Sequence, residues 1–172
     1  MDGSERIRLR EVEEDDHRLI ELWDEDPELN LLMGNENSGG LLFDIDDIPS
    51  RTSLRRMIET RCGQVIGNVD LLHIDRRRKE AEMVIRIGRK DCWSRGYGGE
   101  AVRLLLDLAF EELGLESVYL RVCRFNHRAV NCYRRAGFVK VGIVRRRRSK
   151  GDMEILLMRA TERSFQKTDT TA

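Results

Sequence analysis

Cys92-Trp93-Ser94-Arg95-Gly96-Tyr97-Gly98-Gly99-Glu100-Ala101 is the stretch on which the reading of this chain turns. It connects a strand-like segment ending at Ile87 to a helix-period run from Glu100 to Leu113, in which Ala101, Leu104, Leu105, Leu108 and Ala109 share one side and Gly114 supplies the stop. Glycine is the residue that tolerates positive φ and close backbone approach, so a glycine cluster at a helix start leaves amides free to wrap an anion. Reinforced by the helix dipole, such amides suit a phosphate or pyrophosphate. A tight connection that is merely glycine-rich stays open as an alternative.

The spacing Gly96-x-Gly98-x-x-Ala101 also matches the dinucleotide-binding pattern. Three features oppose that reading. The first glycine does not follow its strand directly, because Gly88 to Arg95 intervene. The acidic residue expected at the end of the next strand is missing, since that strand closes on Val122-Cys123-Arg124. The preceding strands form an antiparallel meander instead of opening a parallel sheet.

Outward from the glycine turn, alternation predicts strands at Arg55 to Thr60, Val65 to Ile74 and Ala81 to Ile87, joined at Cys62-Gly63 and by the charged turn Asp75 to Lys79. Downstream, Ser117 to Cys123 alternates as a strand, and Asn126 caps a helix that runs to Ala136 before Gly137. A hairpin of Val139 to Arg147 and Met153 to Arg159 follows, and Thr161 to Ala172 reads as a frayed polar tail. Upstream, Ile7 to Glu11 is a short strand, and Asp15 or Asp16 caps a helix carrying Leu19, Ile20, Leu22 and Trp23 that stops near Pro27. Gly34 to Ser50, rich in glycine and acid, reads as a loop with room for one short helix. The expected architecture is one α/β domain, residues 1–172 with a core at 5–160, built on a mostly antiparallel sheet of about six or seven strands with helices on both faces.

Composition narrows the function. Lys plus Arg and Asp plus Glu both total 31, so the net charge of zero gives no global attraction to nucleic acid or to an anionic membrane. Two arginine-rich stretches, Arg76 to Lys79 and Arg145 to Arg148, lack interleaved aromatic residues and read as solvated turns, although contact with a nucleotide phosphate or with RNA stays open. Cys62, Cys92, Cys123 and Cys132 form no C-x-x-C pair, and His17, His73 and His127 do not cluster with them, so no metal is expected. No apolar run approaches the roughly 20 residues that span a bilayer. Met1 to Arg10 has no apolar leader core, which predicts a cytoplasmic protein. The number of subunits is left open, a homodimer being compatible.

Two segments together resemble the GNAT superfamily of N-acetyltransferases, and within it the RimJ/RimL type that acetylates ribosomal-protein N-termini. One is Ala81-Glu82 followed by Trp93-Ser94-Arg95-Gly96-Tyr97-Gly98-Gly99-Glu100-Ala101; the other is Asn126-x-x-Ala129-x-x-x-Tyr133-x-x-x-Gly137-Phe138. The resemblance covers Arg55 to Arg159. It implies that acetyl-CoA lies in a V-shaped split between the fourth and fifth strands. The pyrophosphate would then rest on the amides of Arg95, Gly96, Tyr97, Gly98 and Gly99. The backbone near Arg86 and Ile87 would pair with the pantetheine arm, and Asn126 would hold it from the other side. The resemblance also implies an amine acceptor, a protein N-terminal α-amine, with polyamines and aminoglycosides as alternatives. A CoA-binding module without turnover is a further alternative.

Amide formation from a thioester needs a neutral amine and a proton for the departing thiolate. By resemblance, Tyr133 is the proton donor to the CoA sulfur. From helical spacing alone it equally reads as a packed tyrosine, because Ala129, Val130 and Tyr133 share a face. Glu82 is the expected general base, with a solvated strand-edge glutamate as the plainer reading and His73 as a weaker candidate. Arg121 stands where some relatives carry a glutamate, which removes one alternative base.

Overall fold

The computed structural model describes residues 6–34, 52–147 and 151–169. Most of the stretch expected as a loop, Gly34 to Ser50, lies outside them, as do Ser149 and Lys150 at the hairpin tip.

The strands are β1 (Ile7–Arg10), β2 (Leu54–Thr60), β3 (Val65–Asp75), β4 (Glu80–Ile87), β5 (Ser117–Cys123), β6 (Val139–Arg146) and β7 (Met153–Thr161). They form one seven-stranded sheet in the order β1-β2-β3-β4-β5-β7-β6. Every neighbouring pair is antiparallel except β4 and β5, which run parallel. This agrees with the mostly antiparallel sheet expected from alternation, and the strand bounds shift by a residue or two. At the Leu72/Asp75 irregularity His73 takes a positive φ of 52° and is exposed.

The helices are α1 (Asp16–Asp24), α2 (Pro27–Leu32), α3 (Tyr97–Asp107), α4 (His127–Arg135) and α5 (Glu162–Asp169). Because successive side chains of a strand point to opposite faces, each strand feeds two cores. On one face Val69, Leu71, Ala81, Met83, Leu120 and Val122 pack under α3 residues Val102, Leu105 and Leu106 and α4 residues Val130 and Tyr133. On the other face Met57 packs with Ile20, Trp23 and Leu29 of α1 and α2, while Met33 covers Leu72, Val84 and Cys123.

α1 stops at Asp24, near Pro27 as expected, and Pro27 then opens α2: at N1 its missing N–H costs nothing, and Asp26 Oδ1 caps the helix by accepting from the amides of Glu28 (2.9 Å) and Leu29 (3.0 Å). Three local expectations change. At the start of α1, Asp15 occupies the cap position without a side-chain bond, and Asp16 accepts from the Glu13 amide at 2.7 Å. The helix after the glycine turn begins at Tyr97, inside the turn, and its last stretch widens into a π-helical turn, Leu108–Glu112, with the Leu113 amide bonded to Leu108 O. The tail is helical where a frayed end was expected: Phe165 is 6% exposed and meets Phe110 with ring centroids 5.8 Å apart. Gly137, at φ +92°, lets α5 pass close, since a Cβ there would stand 2.9 Å from Ser164 O.

Candidate active site

The parallel ladder between β4 and β5 pairs Glu80 with Ser117, Ala81 with Val118 and Glu82 with Tyr119, and goes no further. From Met83 onward the two strands separate, and the edge of β4 that faces β5 has no strand partner. A cavity of about 800 Å³ occupies this opening, with Met83 to Ile87 on one wall, Arg121 to Cys123 and α4 on the other, and the glycine turn at one end. The split expected between the fourth and fifth strands is therefore present.

The glycine turn is built for close backbone approach. Ser94 and Gly96 take positive φ of 59° and 88°, and Gly96 is the N-cap of α3. The amides of Tyr97, Gly98 and Gly99 fall in the first helical turn, where an intrahelical acceptor does not exist. A Cβ on Gly98 would make only an ordinary contact, 3.9 Å from Ile87 Cγ1, so the residue leaves open space above these amides without being forced to be glycine by the fold. Gly99 faces Cys132 Sγ of α4. Trp93 secures the approach to the turn by donating from Nε1 to Ile87 O at 2.8 Å, and the Arg128 guanidinium lies 4.0 Å from a Trp93 ring centre. Arg103, Arg128 and Arg135 also line the cavity, which makes it a site for a polyanion.

Tyr133 lines the same cavity from α4. Its ring packs against Phe138 at 5.9 Å, and among the described residues no group hydrogen-bonds its hydroxyl. Burial pushes the phenol well above the usual tyrosine range, so it is protonated throughout the neutral region. Asn126 caps α4 by accepting from the Ala129 amide at 3.2 Å and also faces the cavity.

Glu82 is placed differently from its expected role. Its side chain is 2% exposed and bound by Arg121 through two bonds, Nε to Oε1 at 2.7 Å and Nη2 to Oε2 at 3.1 Å. It is not among the residues lining the cavity, whereas Arg121 is. Arg86 and Ile87 both line the cavity, and the Arg86 side chain pairs with Asp24 and donates to Asn68 Oδ1 at 3.2 Å. Arg95, expected among the anion-binding amides, does not line the cavity; its carbonyl accepts from Arg6 Nη1 at 2.9 Å. The exposed His73 does not line it either.

Several lining residues carried no recognisable pattern in sequence. Cys132 and Ala136 could have been found from Tyr133 by helical spacing, with Arg128 and Arg135 at the edges of that face. Leu29, Leu32, Met33 and Arg6 come from the N-terminal part, where nothing in the residue order points to the site.

The model of the acetyltransferase (GNAT) domain matches residues 6–139. Among curated relatives, the spermidine N(1)-acetyltransferase of Escherichia coli (strain K12) is 27% identical over 141 residues, covering 80% of this chain and 75% of its own length. The uncharacterized N-acetyltransferase p20 of Bacillus licheniformis is 28% identical over 151 residues, covering 83% of this chain and 84% of its own. Among solved structures, the spermidine N-acetyltransferase from Vibrio cholerae in complex with CoA and spermine superposes with a TM-score of 0.80 at 22% identity, over 94% of this chain and 98% of that one. With the split sheet, the glycine turn and the family match in agreement, this chain belongs to the GNAT family and is an acetyl-CoA-dependent N-acetyltransferase.

Proposed function

We propose that the enzyme acetylates a primary amine of a polyamine, with Tyr133 as the general acid. The observation that carries the chemistry is the juxtaposition in one cavity of free helix-start amides at one end and an unbonded, protonated phenol within. The amides and the lining arginines hold the pyrophosphate, and the open edge of β4 pairs with the pantetheine arm. The acceptor nitrogen, bound as the neutral amine, attacks the thioester carbonyl and the C–N bond forms; as the C–S bond breaks the Tyr133 hydroxyl protonates the leaving thiolate, the amine proton passes to solvent water in the open cavity, and the tyrosinate regains a proton from solvent. Glu82 has both carboxylate oxygens committed to Arg121, and we assign it to the support of the split and not to proton abstraction.

The polyamine replaces the protein N-terminus that the RimJ/RimL resemblance implies. It is supported by the spermidine acetyltransferases among the relatives, and by the composition of the segment holding Glu36, Asp44, Asp46 and Asp47, which suits a cationic acceptor. Thiol release from acetyl-CoA with spermidine, a peptide N-terminus and an aminoglycoside tests the assignment. Spermidine is expected to have the highest kcat/KM, and a preference for the peptide would return the acceptor to a protein. Release with none of them would leave a CoA-binding module. With the best acceptor, Tyr133→Phe is expected to lower kcat by ~10²- to 10⁴-fold at nearly constant acetyl-CoA affinity, because the ring and its packing remain. A loss within about twofold in a folded variant would remove Tyr133 from the chemistry.

A further inference from the structure

Arg6 precedes the first strand, far from the glycine turn in sequence, yet it contacts that turn and the start of α3 at three places and fills the space beside Gly96. Its Nη1 donates to Arg95 O at 2.9 Å, and its guanidinium lies 4.8 Å from the centre of the Tyr97 ring. Its Nη2 lies 2.9 Å from the point where a Gly96 Cβ would stand, and its Nε donates to Glu100 Oε2 at 3.1 Å. Glu100 in turn accepts from the backbone amides of Arg6 (2.5 Å) and Ile7 (3.1 Å), so one carboxylate ties β1 to the first turns of α3.

This arrangement poses an electrostatic problem that Arg6 resolves. A carboxylate at a helix start is favourable by itself, but beside amides that receive a pyrophosphate it repels the ligand. Arg6 neutralises Glu100 and remains about half exposed, with its side chain on the cavity wall. We infer that Arg6 is a donor-binding residue that clamps the CoA pyrophosphate against the glycine turn from just ahead of β1. The inference rests on the reading of the cavity as the acetyl-CoA site. It assigns to the residue ahead of β1 a part in ligand binding that neither motif supplies. Arg6 touches no reacting atom, so its effect falls on affinity for the phosphorylated part of the donor and not on the acetyl-transfer step.

The test compares acetyl-CoA with acetyl-pantetheine, which carries the thioester but no pyrophosphate. Arg6→Gln is expected to weaken acetyl-CoA binding by about 10- to 100-fold, as the loss of a charge-assisted contact does, with kcat at saturation nearly unchanged. The same variant is expected to use acetyl-pantetheine as well as wild type does, and Arg6→Lys is expected to recover part of the affinity by restoring the charge without the planar fork. Equal losses on both donors would mean that Arg6 only shapes the turn, and an unchanged acetyl-CoA affinity would mean that it does not reach the phosphate; either overturns the inference. Calorimetry of wild type with acetyl-CoA is the separate control. No binding there would overturn the cofactor site and the inference together, whereas wild-type binding with unaltered Arg6→Gln affinity overturns the clamp alone.

Discussion

At the scale of single residues, Glu82 shows how the same side chain reads differently in one and three dimensions. In sequence it is a carboxylate near a motif; in the fold it is a buried anion whose partner, Arg121, stands two residues beyond the last β4–β5 pair, so the ion pair bridges the strands where they begin to part. Removing one member of a buried pair costs about 3–5 kcal/mol when both are fully enclosed. Arg121 is 31% exposed, which reduces the cost of leaving it unpaired. Glu82→Gln, which can still accept one bond, is therefore expected to lose about 2 kcal/mol in urea unfolding while retaining kcat within roughly tenfold. A fall of ~10²-fold or more at full stability would restore Glu82 as the base. The place of Tyr133 on the cavity was legible because its motif sets it on the helix that faces the split, whereas helical spacing alone reads it as a packed side chain. Arg6 was not, because its role depends on β1 lying beside α3, a contact between residues far apart in the chain.

At the scale of elements, α1 is anchored by charge as well as by its apolar side. Asp16 receives both ends of the Arg10 guanidinium, Nη1 to Oδ2 at 2.6 Å and Nη2 to Oδ1 at 2.9 Å, and Arg10 also pairs with Glu59 of β2. The bond from Arg10, aided by the Glu13 amide, holds the Asp16 carboxyl below the usual range against the opposing effect of burial. A carboxyl depressed in the folded state contributes its stability fully above the unfolded pKa of about 3.9, and loses it as the pH falls through the folded value. Asp16→Asn is expected to cost about 3 kcal/mol at neutral pH. Chemical unfolding of both proteins should show the difference narrowing below about pH 4, and a difference independent of pH would refute the linkage. A further tie joins α1 to the site, because Trp23 packs where a Gly88 Cβ would stand 2.1 Å from its ring, just past the end of β4.

At the scale of the whole molecule, the C-terminal helix closes the core that carries the cavity. Phe165 is buried against Phe110 and also reaches the cavity wall. Phe165→Ala is expected to destabilise the protein by about 3 kcal/mol, the lower end of the range for a buried phenylalanine because α5 is a short helix whose neighbours can close on the space left. A change within ±0.5 kcal/mol would return the tail to the frayed state that its polarity suggests. By itself the order of residues determined the meander, the helix behind the glycine turn, the capped α4 and the two motifs, because hydrophobic period, caps and glycine placement act over a few neighbouring residues. The polar tail misled, since one phenylalanine suffices to dock a short helix onto an existing core, and Pro27, which marks the end of α1 as expected, also serves at N1 of a second helix that was not read. Only the tertiary structure decided that Glu82 faces Arg121, that Arg6 reaches the glycine turn and that α2 walls the cavity. Those positions follow from the strand order β1-β2-β3-β4-β5-β7-β6 and from the separation of β4 and β5, which bring distant segments together through packing that no local pattern encodes.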